Sequence, residues 1–487
     1  MPISKIKEKI DFYETLFTER YLPLPLQIIL NNCSDNEKSA FFMAMMPIFS
    51  TYANRVRIHF FFDRSTHNKL SAPVVQCYVF GESGVGKQDF KDYQSIFAQK
   101  LIAMDDQQRD IENEINADNN TKGSNSKKKE MPEIINIVLC EHVSRFQVVQ
   151  HGLAIKKKFG DTLIQYHFTS EMASILKNTK SDSFDLGEIM LKSYDLGDTI
   201  DHDTGNKESV KGVVDVNISS LYTTTPETLD SFFKDKLTNG CLNRAILIPF
   251  SPDKNVCNKH DGITAEETDE INTFLDVLLG KVFAKDGSLM PIQVLDTEFL
   301  DQYVKEFDAQ ITNIINLPTC HIPLTVNAFA PRASVSAFRV ACICLYLFKI
   351  EKEYFKTDEK SFLTTDYIKD TVILIYKFAS NYILYNTLLR YSKDHDAKMQ
   401  EENLRQRENN EFLRRSLLEI LPNQFSRFRL IQELQKMGQN TDPKVRISKW
   451  KSEGKIEELG NGKYKKIIRQ ISEEEPKSGE DTECIES

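Results

Sequence analysis

The stretch Gly81-Glu82-Ser83-Gly84-Val85-Gly86-Lys87-Gln88 has the residue types and spacing of a phosphate cradle. It follows an apolar run, Val74 to Phe80, that reads as a buried strand, and it leads into a helical pattern. Glycines let a backbone curl until successive N–H groups point at one spot. The helix N-terminus behind adds partial positive charge there, and Lys87 can reach the outer phosphates. The chemistry implied is binding of a nucleoside triphosphate. The motif departs from its usual form at one position. The residue after the lysine is ordinarily Ser or Thr, whose hydroxyl binds Mg²⁺, and here it is Gln88.

Cleaving a bound triphosphate also needs a carboxylate to orient water, a metal ion, and positive charge on the transition state. Glu171 follows the strand-like run Thr162 to Phe168 and is the carboxylate candidate; it reads equally as the first residue of a helix, where a carboxylate suits the dipole. The position before it, where a metal-holding Asp would stand, is Ser170. Both metal positions, Gln88 and Ser170, therefore carry neutral side chains, and Asp89 is the nearest alternative ligand. Thr225 ends a further strand and could bond a γ-phosphate or the attacking water. Thr225-Pro226-Glu227 also reads as a helix N-cap with proline at the first helical position. Arg244, in Gly240-Cys241-Leu242-Asn243-Arg244, heads the last strand-like run and could complete a neighbouring subunit's site or form a surface ion pair.

The elements that must position these residues follow from periodicity. Residues 73–250 alternate strands and helices, the pattern of a parallel sheet. Its strands are read at Val74–Phe80, Ile134–Leu139, Thr162–Phe168, Val213–Tyr222 and Arg244–Pro249. Helices are expected from Gln88 to about Ile115 and from Arg145 to Lys158, with a polar loop over 116–130. Residues 1–70 read as short helices followed by an extended Arg57–Phe62, residues 263–395 as mainly helical, and Lys393–Asn410 as a charged exposed helix or linker. Three helical patterns and a hairpin marked by Asn461-Gly462 fill 411–467. Ser472 to Ser487 is acidic and reads as disordered. The expected organisation is an N-terminal helical segment (1–70), a sheet core (71–255), a helical region (256–395), a charged linker (396–410), a small domain (411–468) and an acidic tail (469–487).

Composition sets limits. The chain has 487 residues, with 62 basic against 71 acidic side chains and a net charge of −9. It is not a basic nucleic-acid coat, so any DNA contact comes from local patches. Nine scattered cysteines form no C-x-x-C pair, which predicts neither a zinc site nor a disulfide framework and points to reduced, cytoplasmic thiols. Met1–Phe12 lacks the apolar core of a signal peptide, and the apolar run Ala341–Ile350 is too short to span a bilayer.

Taken in order, these motifs resemble the AAA+ helicase-type P-loop ATPases of phages, plasmids and other mobile elements. These are relatives of superfamily III and minichromosome-maintenance helicases; one similar group is a helicase-like domain family of mobile elements. The resemblance rests on Ala44–Ser50, the extended Arg57–Phe61, the phosphate loop, the Glu171-ended strand, Leu191–Asp195, Thr224-Thr225-Pro226, and the Gly-x-Leu-x-Arg motif ending at Arg244. It covers about residues 20–350, with a winged-helix-like end. It implies an α/β fold: a P-loop, AAA+-like parallel sheet core with a helical lid and a C-terminal winged-helix-like domain. It further implies that Gly81, Glu82, Ser83, Gly84, Val85, Gly86, Lys87 and Gln88 hold ATP with Mg²⁺, and that Glu171 activates water. Thr225 would be the first sensor, Arg244 a finger acting in trans, and Arg332, in Pro331–Val335, the lid arginine; a helix-start residue is the plainer reading of Arg332.

DNA, single- or double-stranded, is the implied partner, with a homo-oligomer, a hexameric ring if Arg244 acts across an interface, and no membrane. Candidate DNA contacts are Lys207 and Lys211, beside a possible hairpin tip at Thr204-Gly205-Asn206 that reads equally as a surface turn. Lys444, Arg446, Lys449 and Lys451 on the last helix and Lys463 on the wing add to them. The expected function is a DNA helicase or translocase ATPase in replication of a phage or mobile element, in the cytoplasm of a bacterial host. The rival readings are a non-hydrolysing nucleotide-binding scaffold or DNA-binding regulator, which Gln88 and Ser170 favour, and an ATPase that remodels protein complexes.

Overall fold

The structure is a computed structural model that describes residues 2–60, 70–121, 135–178, 186–195, 197–202, 212–238, 240–251, 262–317, 320–355, 360–414, 417–436 and 442–467. Lys207, Lys211, the lysine run 127–129 and the acidic tail lie outside these residues. The protein divides into two units, Met1–Lys398 and Met399–Ser487.

In the first unit the strands in chain order are β1 (Val56–Arg57), β2 (Gln76–Phe80), β3 (Val138–Leu139), β4 (Ile164–Thr169), β5 (Thr199–His202), β6 (Gly212–Asp215), β7 (Asn217–Thr224), β8 (Ala245–Pro249) and β9 (Gln293–Val294). Five of them form a parallel sheet in the order β3-β4-β7-β2-β8. Because every strand is parallel, all five C-terminal ends open on one edge, which is where α/β sheets bind ligands. The central strands are buried along nearly their whole length, as a sheet covered on both faces requires, although β7 carries Asn217, Ser219, Ser220, Thr223 and Thr224 among its buried residues.

The helix Asp35–Tyr52 lies against this sheet and is buried on almost every side. It starts with a capping box, Ser34 with Glu37. Its Phe41 ring stacks on Phe90, from the helix that follows the phosphate loop, at 4.3 Å between centroids. One hydrophobic core runs from Ile6 to Tyr391. The segments expected at 1–70, 71–255 and 256–395 therefore share a single interior. The apolar run at 341–350 belongs to a longer helix, Pro323–Tyr354, which is long and apolar enough to cross a membrane; 83% of its apolar window is buried inside the protein.

The strand expected at Val213–Tyr222 is two strands. Val216 separates β6, which pairs antiparallel with β5, from β7, which enters the sheet. The β5–β6 hairpin packs on the helix Arg145–Phe159 through two glycines. A Cβ on Gly152 would meet Val214 at 3.0 Å, and one on Gly212 would meet Leu153 at 2.9 Å. Close packing rather than turn chemistry moves this segment out of the sheet. The helix after the phosphate loop runs to Thr121, beyond the expected end near Ile115.

The second unit holds the helices Leu417–Ile420, Arg427–Lys436 and Pro443–Ser452, with strands β10 (Gln424–Ser426), β11 (Ile456–Gly460) and β12 (Lys463–Lys466). They form an antiparallel sheet in the order β10-β12-β11 over a core of Leu417, Leu421, Phe425, Leu430, Leu434, Ile447, Trp450, Ile456 and Tyr464. The expected hairpin is present, and Gly460, Asn461 and Gly462 all take positive φ at its tip. The charged run expected as a linker at 396–410 is the last part of the helix Thr365–Arg414.

Candidate functional site

The phosphate-loop residues lie at the C-terminal end of β2, with the helix Gln88–Thr121 starting directly behind them. Gly84 and Gly86 take φ of +82° and +86°, a backbone region that side chains with a Cβ rarely adopt. Gly81 is fixed by crowding, since a Cβ there would lie 2.2 Å from the Phe250 carbonyl oxygen. Its N–H donates to the Thr224 carbonyl at 3.3 Å, tying the loop to β7. The Lys87 ammonium donates to the Gly81 and Glu82 carbonyls at 2.5 and 2.7 Å. Burial holds its pKa below the ordinary lysine value, partly offset by Glu82 and Glu227. A half-buried cation satisfied only by loop carbonyls is poised to exchange them for phosphate oxygens, which return a charge-assisted bond. The cradle thus fits a polyphosphate.

The strand register assembles the rest of this edge. β7 lies between β2 and β4, so Glu171 stands two strands from the phosphate loop, about 10 Å away at ordinary strand spacing. Thr225, at the end of β7, lies between them. It is also the N-cap of the helix Pro226–Phe233, accepting from the Thr228 N–H at 3.4 Å, so both readings of this residue hold together structurally. Glu171 is exposed, and the Thr223 hydroxyl donates to the Ser170 carbonyl beside it. His167 supports this corner from below. It is buried, bonded to the Tyr222 hydroxyl at 2.8 Å and the Glu141 carbonyl at 3.2 Å, and burial pushes its pKa down to about 4, so it is neutral near pH 7. Asp105, on the helix behind the phosphate loop, accepts the N–H groups of Ile137 and Val138 at 2.9 and 2.6 Å and pins β3 to that helix.

Sequence reasoning missed three residues here. Glu141 follows β3, and its carboxylate accepts the Thr169 hydroxyl and, at 3.3 Å, that of Ser174 next to Glu171. Glu227 sits close enough to Lys87 to raise its proton affinity. Arg390, on the helix Thr365–Arg414, forms a two-pronged ion pair with Asp230 at 2.8 Å and donates to the Pro226 carbonyl at 2.8 Å. Its guanidinium lies 4.6 Å from the Phe80 ring centroid, at the entrance to the phosphate loop. The only local signal for it is one cation in an apolar helical run.

The metal positions offer less. The Gln88 amide is turned onto Asp92 at 3.1 Å, and Ser170 brings a neutral hydroxyl. Among the described residues no group of three or more His, Cys, Asp or Glu is placed to hold a metal ion by itself. A Mg²⁺ carried on phosphates needs only one or two protein carboxylates, and Glu171, Glu227 and Asp89 are among those at this edge, with Glu82 and Glu141.

Arg244 and Arg332 lie elsewhere. Ala245 pairs with Gln76 at the start of β2, so Arg244 stands at the opposite edge of the sheet, roughly 16 Å along the strands from Gly81. There it reaches Asp195 at 3.3 Å, and so do Arg332 at 3.5 Å and Arg339 at 3.0 Å. Arg332 is therefore placed away from the phosphate loop of its own chain, not over it as a lid arginine would be. It is also not a helix-start residue, since its helix begins at Pro323. Arg339 is fully buried, donates to the Val74 and Tyr194 carbonyls and stacks on the Tyr194 ring at 3.8 Å. Burial raises the Asp195 carboxyl, but Arg339, Arg332 and Arg244 outweigh it and hold the pKa below the usual carboxylate range. Three guanidiniums share one carboxylate, leaving a local excess of positive charge. Arg244 is 14% exposed and Arg332 36%.

In the second unit, Lys444 and Lys449 point outward from the helix Pro443–Ser452 while Ile447 and Trp450 pack inward. Lys451 pairs with Glu458, Arg446 is half-buried, and Lys463 is exposed on β12. No protein-family model matches this sequence, and no curated protein matches it, so the functional reading rests on this geometry.

Proposed function

We propose that this chain is an AAA+-type ATPase that binds ATP at the phosphate loop and couples its hydrolysis to movement on DNA as an oligomer. The resemblance adds replication of a phage or mobile element as the setting. The observation that carries the reading is the gathering of Lys87, Thr225 and Glu171 at one sheet edge, in that order across β2, β7 and β4. Cradle, polar sensor and carboxylate span the length of a triphosphate and an attacking water. Lys87 and the loop N–H groups hold phosphate oxygens, Thr225 bonds the terminal phosphate or the water, and Glu171 accepts a proton from the water. Mg²⁺, bound with the nucleotide, neutralises phosphate charge.

Arg244 lies too far from its own loop to act on it, so its role in this reading is on a neighbour's nucleotide. Arg390 is the cation at the cis side. Lys444, Lys449 and Lys463, each exposed, give the second unit cations for phosphates of DNA. The second reading, a nucleotide-binding scaffold without turnover, is favoured by Gln88, which lacks the usual hydroxyl, and by Ser170, which lacks the usual carboxylate. The two separate on steady-state phosphate release with and without single-stranded DNA. Turnover that rises with DNA is expected. ATP binding without phosphate release under any divalent cation would establish the scaffold instead.

A further inference from the structure

The second unit carries an exposed aromatic that its core does not use. Phe428 is 68% exposed and, like the exposed Val445, Leu459 and Ile467, lies outside the hydrophobic cluster of this unit. A single exposed phenyl needs no explanation, but this one has a particular setting. Arg427 and Arg429 flank it, and both are exposed. The Arg427 N–H donates to the Gly462 carbonyl at 3.0 Å, which joins the start of the helix Arg427–Lys436 to the hairpin tip. Ser426, just before this helix, pairs in register with Lys463, whose side chain is exposed. The Ser426 hydroxyl accepts the Arg429 N–H at 3.2 Å and caps the helix, so the backbone that carries Phe428 is fixed. Arg429 is engaged by Glu433 at 3.0 Å, whereas Arg427 and Lys463 have no ion-pair partner among the described residues.

We infer that Phe428 is a stacking platform for an unpaired nucleic-acid base, with Arg427 and Lys463 holding the adjacent phosphates. This rests on the reading of the second unit as a DNA-binding element and deepens it, because it specifies single strands. Three physical points favour that occupant. A phenyl face attracts any base and is sequence-tolerant, as a motor on DNA requires. Two cations beside the ring, Arg427 next to it in the chain and Lys463 in register with Ser426, match a backbone that brings one negative charge per nucleotide. A paired duplex keeps its base faces covered, so of the two forms of DNA only an unpaired strand can stack on the ring. The outward lysines of the helix Pro443–Ser452, by contrast, offer charge without an aromatic and suit a duplex backbone.

The test uses the full chain with fluorescent oligothymidylate and, separately, a blunt hairpin duplex, read by anisotropy across a salt series. Phe428→Ala is expected to weaken oligothymidylate binding roughly 5- to 150-fold, the range for loss of one base–aromatic stack. Its salt slope and its duplex affinity are expected to stay unchanged, and Phe428→Trp to restore the single-strand affinity. Arg427→Ala and Lys463→Ala are each expected to reduce the salt slope on single strands by about 0.7. Unchanged single-strand affinity in Phe428→Ala, or equal loss on both probes, overturns the stacking role while leaving DNA binding in place. Wild type that binds neither probe overturns the DNA reading itself. Loss of self-association in Phe428→Ala with DNA affinity intact would make the ring a protein contact and overturn the inference.

Discussion

Glu171→Gln is expected to bind ATP as the wild-type chain does and to turn it over roughly 10²–10⁴-fold more slowly, the usual contribution of a positioned acid–base group. The amide keeps the size and hydrogen-bonding shape of the carboxylate but cannot take a proton from water. Glu171 is exposed at the end of β4 and contributes no side chain to the core, so the fold is untouched. The neighbouring Glu141 is not a substitute. It lies one strand further from the phosphate loop, with its carboxylate already bonded to Thr169. Rapid-quench measurement of phosphate release beside nucleotide-binding isotherms checks this. Wild-type turnover in Glu171→Gln would move the catalytic carboxylate to Glu227, an acid whose charge acts on Lys87.

Arg244→Ala is expected to have a comparably large effect through a different route. An arginine that stabilises a transferring phosphoryl group contributes about 10³–10⁵-fold. Arg244 stands at the far edge of the sheet from its own loop, so its removal should leave ATP affinity intact. Mixing Arg244→Ala with Lys87→Ala chains should restore part of the turnover, because one supplies a sound phosphate loop and the other a sound arginine at a shared interface. Asp195 enters here as a positioning residue: it holds Arg244, Arg332 and Arg339 together, and Arg244 must leave it or share it to reach a neighbour's phosphate. No rescue in the mixture, or a chain that stays monomeric with ATP, would rule out a trans role for Arg244.

What the sequence made legible was local. The phosphate loop, the N-cap at Thr225 and the hairpin at Gly460–Gly462 are set by glycine, proline and hydroxyl residues acting over a few positions. Their local signals therefore survive folding unchanged. The apolar runs likewise located β2, β4 and β8 to within two residues. What escaped was set by packing between distant segments. Nothing near Val216 marks a break, since the glycine contacts that pull β6 onto the helix Arg145–Phe159 come from sixty residues away in the chain. Arg332, the lid arginine by resemblance and a helix-start residue on the plainer reading, lies inside a helix that Pro323 opens and meets Asp195. The meeting of residues 195, 244, 332 and 339 on one carboxylate, and of Arg390 with Phe80, depends on tertiary contacts that no local pattern encodes.

The proposed function requires Gly81–Lys87 to hold the phosphates of ATP. Calorimetric titration of ATP into the wild-type chain and into Lys87→Ala tests it most directly. Lys87 is half-buried at the surface of the loop and bonds only to loop carbonyls, so its removal leaves the core intact. The predicted result is saturable binding of one ATP per wild-type chain and none measurable in Lys87→Ala, with the two chains unfolding at the same temperature. Equal ATP affinity in the two chains, or no binding by the wild type, would contradict it.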